Sequence, residues 1–298
     1  MRFRRSGPSL VIDTPAKLNL HLEVLGRRPD GFHELETVMV SVGLFDTLVI
    51  TPADERIELS CQADGAFAGQ PLPPSDARNL VLRSAELLRE LTGHREGASL
   101  ALVKRIPLEA GLGGGSSNAA AALVGLNRVW KLGLTGEELH AAAARLGSDV
   151  NFFLDSAPLA VCRGRGEQVR RSPLIGPLWF VIVKPPVGLS TAAVFGRYAG
   201  LASPARSPEG LIAGAAAGNA AECGRWMFNA LERPSRELSP IVARTLDQMR
   251  EEDVAGCAMT GSGAACFALC RSREHAERIG RRLRGRVPGR VYVVRTTV

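Results

Sequence analysis

Residues 107–123 read PLEAGLGGGSSNAAAAL: three consecutive glycines and two serines run straight into a block of alanines. Glycine opposes a helix and alanine favours one, so the stretch asks for a pliant loop feeding a helix start. That junction has a chemistry. A helix N-terminus presents unpaired N–H groups and a partial positive charge, and glycines let successive N–H groups converge on one anion. Ser116 and Ser117 stand where a hydroxyl can cap the helix, bond a phosphate or reach a magnesium ion. Two common nucleotide fingerprints are missing. No lysine precedes Ser116 as GxxxxGK[ST] requires, and the spacing Gly111, Gly113, Gly114, Gly115 breaks GxGxxG. On residue chemistry alone the stretch is a phosphate cradle or a tight turn packed against its helix.

Other candidates are scattered along the chain. MTGSGAACFAL (259–269) is a second short glycine loop between strand-like runs, and the hydroxyls of Thr260 and Ser262, beside Gly261 and Gly263, suit phosphate or substrate oxygens. Taken alone it reads equally well as a hairpin. In AKLNLHLEVLG (16–26), Leu18, Leu20, Leu22 and Val24 share one face, and Lys17, Asn19, His21 and Glu23 share the other. A half-buried strand follows, with Lys17 and Asn19 exposed at its start. LGSDVNFFL (146–154) places Asp149 at a helix end, where a lone carboxylate is ordinarily a salt-bridge partner.

The intervening pattern must position these groups. RRPDG (27–31) is turn chemistry, and ELETVMVSV and DTLVIT continue as two strands. A helix is expected over 78–93 with Gly93 as its stop, a strand over ASLALVKRI, and a helix from Ser116 to Trp130. Thr135 and Glu138 stand at capping-box spacing in front of a further helix closing at Gly147. Beyond residue 163, LWFVIVKP is a buried strand and a helix begins at Ser190 or Thr191. Short helices and loops are expected over 199–219, helices near 220–232 and 237–252, and then a strand–helix–strand ending.

With 298 residues the chain has room for two domains, divided near 163–177. No apolar run approaches the roughly 18 residues of a membrane helix, and no secretory signal follows the basic start, so a cytoplasmic protein is expected. The six cysteines lack metal or redox spacing and read as reduced, mostly buried thiols. The net charge of +7 is spread along the chain and aromatics are only 5%, too few for a base-stacking platform. Attraction of small anionic substrates accounts for the charge equally well.

PLEAGLGGGSSNA (107–119) resembles the phosphate loop of the galactokinase, homoserine kinase, mevalonate kinase and phosphomevalonate kinase (GHMP) superfamily. PAKLNLHLEVLGRRPDGFHELETV (15–38) resembles the first motif of one of its families, the 4-diphosphocytidyl-2-C-methyl-D-erythritol kinases. LGSDVNFFL, GRGE (164–167) and MTGSGAACFAL match further blocks of that family in the same order, so the likeness runs from about residue 14 to 270.

The resemblance implies an α+β, two-domain GHMP kinase fold. Residues 1–165 would form an ATP-binding domain like ribosomal protein S5 domain 2, and 166–298 a ferredoxin-like, substrate-binding domain. It implies ATP on the glycine-loop side, substrate in the cleft between domains, and magnesium on the nucleotide. The ATP site carries over to Pro107, Leu108, Glu109, Ala110, Gly111, Leu112, Gly113, Gly114, Gly115, Ser116 and Ser117. The catalytic groups fall on Lys17 and Asp149, and the substrate site on Asn19, Phe32, His33, Thr191, Phe195 and the Thr260, Gly261, Ser262, Gly263 loop. The implied reaction moves the γ-phosphate of ATP to the 2-hydroxyl of 4-diphosphocytidyl-2-C-methyl-D-erythritol, in non-mevalonate isoprenoid synthesis. Partners are then small molecules, with no nucleic acid or membrane, in a monomer or weak homodimer.

Three residues depart from the family pattern: Phe32 replaces a tyrosine, Ser148 an alanine and Asn151 a proline. The rival readings are another GHMP kinase, acting on homoserine, mevalonate or a sugar, and a non-catalytic basic protein that binds nucleic acid on the same fold.

Overall fold

The computed structural model describes residues 1–64, 67, 71–198 and 206–297. Its contacts divide the chain into two compact units that interleave in sequence. The first holds 1–16, 44–108 and 113–156; the second holds 17–43, 109–112 and 157–298. The expected cut at 165–166 therefore differs from the packing. Segment 17–43 packs with the C-terminal part because two long strands run on from one unit into the other, and 109–112 does so through hydrogen bonds to Lys17 and to residues 260–265.

The first unit opens with β1 (Arg2–Ser6), antiparallel to the start of β2 (Ser9–Arg27). The later part of β3 (His33–Ala53) pairs antiparallel with β5 (Gly97–Lys104), which lies parallel to β4 (Ile57–Ala63). A parallel pair needs a crossover helix, here α1 (Leu80–Thr92). Asn79 caps its start by accepting from the Val81 N–H, and left-handed Gly93 ends it. The helices α2 (Gly114–Val129), α3 (Gly136–Leu146) and α4 (Val150–Leu154) follow. The capping box of Thr135 and Glu138 forms as its spacing indicates.

Composition explains where α2 lies. Ala119 to Ala122 are all fully buried, and small side chains let the helix axis approach the sheet. The approach is closest at Gly125, where a Cβ would stand 2.4 Å from Ile50 Cδ1 and 2.7 Å from Ile12 Cδ1. The alanine run thus serves packing as well as helix propensity.

In the second unit the early part of β3 pairs with β6 (Leu159–Gly164), which forms a hairpin with β7 (Gln168–Arg171). A separate sheet contains β8 (Trp179–Lys184), and after it come α5 (Thr191–Tyr198), α6 (Glu209–Ala216) and α7 (Ala220–Arg225). The helix expected over 220–232 is interrupted by β9 (Phe228–Asn229), which pairs parallel to β2 at His21 and Leu22. The helix expected over 237–252 is also divided. α8 (Glu232–Leu238) ends at Ser239, whose side chain caps α9 (Pro240–Arg250), with proline at the first helical position. Residues 199–205 of the loop-rich expectation lie outside the described residues.

The chain closes with β10 (Gly256–Met259), β11 (Cys266–Cys270), α10 (Arg273–Leu283) and β12 (Arg290–Arg295). The order β10–β11–β8–β12, antiparallel throughout, with helices after β8 and β11, is the ferredoxin-like arrangement.

Two expectations about strands need correction. ELETVMVSV and DTLVIT form one 21-residue strand, and β2 is not half-exposed: Lys17, Asn19, His21 and Glu23 are all buried. Their face is covered by the 259–265 turn, by β9 and by the segment at Arg206, each contributed from over 180 residues away in sequence. Period-two alternation shows that a strand has two faces but cannot report a distant segment that covers the polar one.

The close approach at Gly125 is testable. Gly125→Val is expected to destabilise by about 1–3 kcal/mol through overpacking, read as a lower urea midpoint; an unchanged midpoint would contradict the helix–sheet contact.

Candidate active site

In the first unit the glycine run behaves differently from its propensities. Gly113, with φ of +69°, is the N-cap of α2, so Gly114 and Gly115 are already helical and the helix starts two residues before Ser116. Ser116 and Ser117 therefore lie in its first turn, and neither is the cap. Ser117 is fully buried, and its Oγ has no hydrogen-bond partner. A buried hydroxyl at a helix N-terminus without a partner is uncommon and suits a ligand oxygen.

Beneath that turn lies a buried polar cluster. Lys104 Nζ bonds Asp46 Oδ2, and donates to Asn118 Oδ1 at 3.2 Å. Asn118 Nδ2 donates to Thr14 Oγ1 at 2.9 Å and to Asp46 Oδ2 at 3.1 Å. The other Asp46 oxygen accepts the backbone N–H groups of Arg105 and Ile106 at 2.7 and 2.9 Å, just before Pro107. A Cβ on Gly114 would stand 3.2 Å from Lys104 Nζ and 3.0 Å from Ile106 Cγ2, so glycine lets the first turn settle onto this cluster. Asp149 is the N-cap residue of α4, which packs against α2, and its carboxylate caps no N–H of its own helix.

The second unit holds the rest of the loop, Glu109 to Leu112, together with Lys17 and the 260–263 turn. Lys17 is 3% exposed, and its Nζ donates to Asn19 Oδ1 at 2.5 Å. Its backbone N–H donates to the Leu112 carbonyl at 3.0 Å. Asn19 Nδ2 donates to Thr37 Oγ1 at 2.8 Å, and the Asn19 backbone N–H donates to Thr260 Oγ1 at 3.1 Å. Thr260 Oγ1 also lies 3.2 Å from both Asn19 Oδ1 and the Gly111 carbonyl. The Ala265 N–H donates to the Ala110 carbonyl at 3.1 Å. The two glycine loops are thus hydrogen-bonded to each other. Gly111, at φ +70°, approaches so closely that a Cβ would stand 2.1 Å from the Thr260 carbonyl oxygen.

The remaining candidates form two smaller groups in this unit. Ser262 Oγ lies 2.9 Å from Thr191 Oγ1, joining the glycine turn to the start of α5. His33 stacks on Phe195 with ring centroids 4.7 Å apart and planes at 24°. Phe32 and Phe195, both expected in the substrate site, differ in their surroundings. The ring on Phe195 is that of His33, and half-exposed Phe32 carries the Arg165 guanidinium 4.8 Å from its ring centre. Burial, and then the charge of Arg27, push His33 below its ordinary value of 6.5, so it is neutral at pH 7.

The sequence reading missed Asp46, Lys104, Asn118 and Asn229. Asn229 Nδ2 donates to the carbonyls of Met259 and Gly261 at 2.7 and 2.9 Å and so fixes the second glycine turn. No local spacing marks these residues, because each acts on segments remote in sequence. The cysteines offer no competing nucleophile. All six are free thiols, and burial pushes Cys223 up to about 11 and Cys257 and Cys270 to about 12.

Comparison with known proteins narrows the meaning of this arrangement. Residues 79–158 match the GHMP kinases N terminal domain and 211–289 the GHMP kinases C terminal domain. The 4-diphosphocytidyl-2-C-methyl-D-erythritol kinase of Symbiobacterium thermophilum is 42% identical, over 97% of this chain and 100% of its own length. The chain belongs to the 4-diphosphocytidyl-2-C-methyl-D-erythritol kinase family. The Shouchella clausii member is 40% identical, over 95% of this chain and 93% of its own. A crystal structure of 4-(cytidine 5'-diphospho)-2C-methyl-D-erythritol kinase superposes with a TM-score of 0.79 at 33% identity, covering 97% of this chain and 99% of that one. Homoserine kinase from Cytophaga hutchinsonii shares the fold at a TM-score of 0.72 and 19% identity. The two-domain GHMP kinase architecture expected from the sequence is therefore present, and the chain is an ATP-dependent kinase.

Removing the Thr260 hydroxyl tests the link between the loops. Thr260→Val should leave the buried Asn19 N–H without its acceptor and cost about 1–3 kcal/mol, read by urea unfolding. It should also raise the KM for ATP. A variant matching the parent in both would contradict the junction.

Proposed function

We propose that the enzyme transfers the γ-phosphate of ATP to the 2-hydroxyl of 4-diphosphocytidyl-2-C-methyl-D-erythritol, giving ADP and the 2-phosphate in non-mevalonate isoprenoid synthesis. The observation that carries this reading is the pair of hydrogen-bonded glycine loops with Lys17 at their junction. Phosphoryl transfer to a hydroxyl asks a protein mainly for positioning and charge stabilisation. Residues 107–117 form the ATP site: backbone N–H groups between Pro107, which has none, and Ser117, whose N–H donates to the Gly113 carbonyl, serve the phosphates, and the N-terminus of α2 adds its partial positive charge.

Lys17 and Asp149 are assigned to the chemistry. Asp149 orients the acceptor hydroxyl and accepts its proton. Lys17 offsets charge on the transferred group. The lysine that a P-loop would carry beside its glycines is thus supplied by β2. Ser148 and Asn151, beside Asp149, leave both charged groups in place. Asn19, Phe32, His33 and Phe195 take the cytidine, and neutral His33 can donate to an acceptor on the base while Phe32 supplies an aromatic face. Thr191 and the 260–263 turn face the remaining substrate oxygens.

The chemistry magnesium would supply when bound is neutralisation of charge at the ATP phosphates. The residues present fit a minor protein share in holding it: Ser117 offers a buried, unpartnered Oγ in the first turn of α2, with Ser116 beside it. Among the described residues no group of three His, Cys, Asp or Glu side chains is placed to hold a metal. No helix of the described residues is long and apolar enough to cross a membrane, and the net charge of +7 suits two anionic substrates. The enzyme works in the cytoplasm as a monomer or weak homodimer on these small molecules.

An ADP-release assay offering the cytidine substrate beside homoserine, mevalonate and galactose tests the assignment. Turnover of the first is expected, and strong turnover of another with none of the first would overturn it. Asp149→Asn should lower kcat by about 10²–10⁴-fold while ATP affinity stays close to the parent, and parental kcat would remove Asp149 from the chemistry. The neutral form of His33 is the binding form and its value is depressed. The rise in acceptor KM on acidification should therefore have its midpoint below pH 6.5; a midpoint at or above 6.5 would contradict that role.

A further inference from the structure

Glu109 is an unusual residue for a loop assigned to phosphates. It carries a negative charge, and it adopts a left-handed backbone at φ +48°, which costs a non-glycine residue energy. Its side chain has a definite seat within the second unit. A Cβ placed on Gly188 would stand 2.2 Å from Glu109 Oε2 and 3.1 Å from Glu109 Cβ, so the carboxylate arm lies directly against the Gly188 backbone. That backbone belongs to the 185–190 loop between β8 and α5.

A cation stands at the same place. Lys184, the last residue of β8, folds back so that its Nζ donates to the carbonyls of Pro185 and Val187 at 2.9 and 2.7 Å. It feels the Glu109 charge as well. The Glu109 main chain is tied on the other side, where the Ala264 N–H donates to its carbonyl at 3.4 Å. Glu109 is thus held by the glycine turn through its backbone and by the 185–190 loop through its side chain. Three residues beyond Gly188, the chain enters α5 with Thr191 and then Phe195.

We infer that Glu109 is a positioning residue: its carboxylate, seated on Gly188 beside Lys184, latches the loop that leads into Thr191 and Phe195 to the phosphate-binding loop. The inference rests on the proposed assignment of Thr191 and Phe195 to the acceptor. It gives the charge on Glu109 a use directed away from the phosphates. It also explains why residue 188 is glycine although that residue has no left-handed backbone to demand one.

The test compares Glu109→Gly, Gly188→Ala and the double variant in steady-state kinetics, with thermal unfolding alongside. Gly188→Ala evicts the carboxylate without touching Glu109, because the carboxylate is the flexible end that gives way. Each single variant should raise acceptor KM about threefold to tenfold, and the KM for ATP should rise less. The double variant should be no worse than either single one, since both break one contact. Glu109→Gly should melt no lower than the parent, because glycine accepts the left-handed backbone. A purely structural role predicts a change in melting without the selective rise in acceptor KM. Unchanged acceptor KM in both single variants, or additive losses in the double, would overturn the inference. Failure of the parent enzyme to phosphorylate the cytidine substrate would instead overturn the functional assignment, so the two failures are distinguishable.

Discussion

One buried hydroxyl sets the geometry of the second unit. Thr260 Oγ1 meets the Asn19 N–H, the Asn19 side-chain oxygen and the Gly111 carbonyl, and so joins β2 to both glycine loops. Lys17 is two residues from Asn19, donates to its side chain, and gives its own N–H to Leu112. The ammonium is therefore positioned by the bonds that shape the loop. Such a network is strong only when complete, because each buried donor left unmatched carries its full desolvation cost. Asn229 completes it by holding the carbonyls of Met259 and Gly261.

The first unit solves a related problem with charge. Asp46 and Lys104 are both essentially inaccessible to solvent, and burying an ion pair is costly unless every remaining polar atom is matched. Here Asn118, Thr14 and the N–H groups of Arg105 and Ile106 supply the matches. The pair thereby fixes where the chain leaves β5 and where α2 begins. The clash of propensities between glycines and alanines marks that boundary. Gly113 turns the chain, Gly114 lets the first turn sit on Lys104, and the alanines let the rest of α2 pack against the sheet.

Much of this was legible in the sequence. The glycine loops, the α1 stop at Gly93, the capping box at Thr135 and the β8 strand all follow from local residue chemistry. The order of motifs pointed to the family that the comparisons then established. What local pattern could not supply was coverage. His21 and Glu23 read as solvent-facing because nothing nearby in sequence announces β9 or the segment at Arg206. The interruption at Phe228 and the stop at Ser239 were hidden in the same way, since a two-residue strand has no periodicity of its own. The placement of His33 on Phe195, and of Arg165 on Phe32, depends on the β3–β6 register and on α5, neither of which spacing can set.

The central claim is that the loop around Gly111 holds the ATP phosphates because the 260–265 turn clamps its backbone. Gly111→Ala tests it most directly, since the added Cβ would meet the Thr260 carbonyl oxygen at 2.1 Å and the backbone sits at φ +70°. Isothermal titration of the folded variant should show ATP affinity reduced about tenfold or more, with the affinity for the cytidine substrate less affected. Parental ATP affinity in that variant would contradict the account.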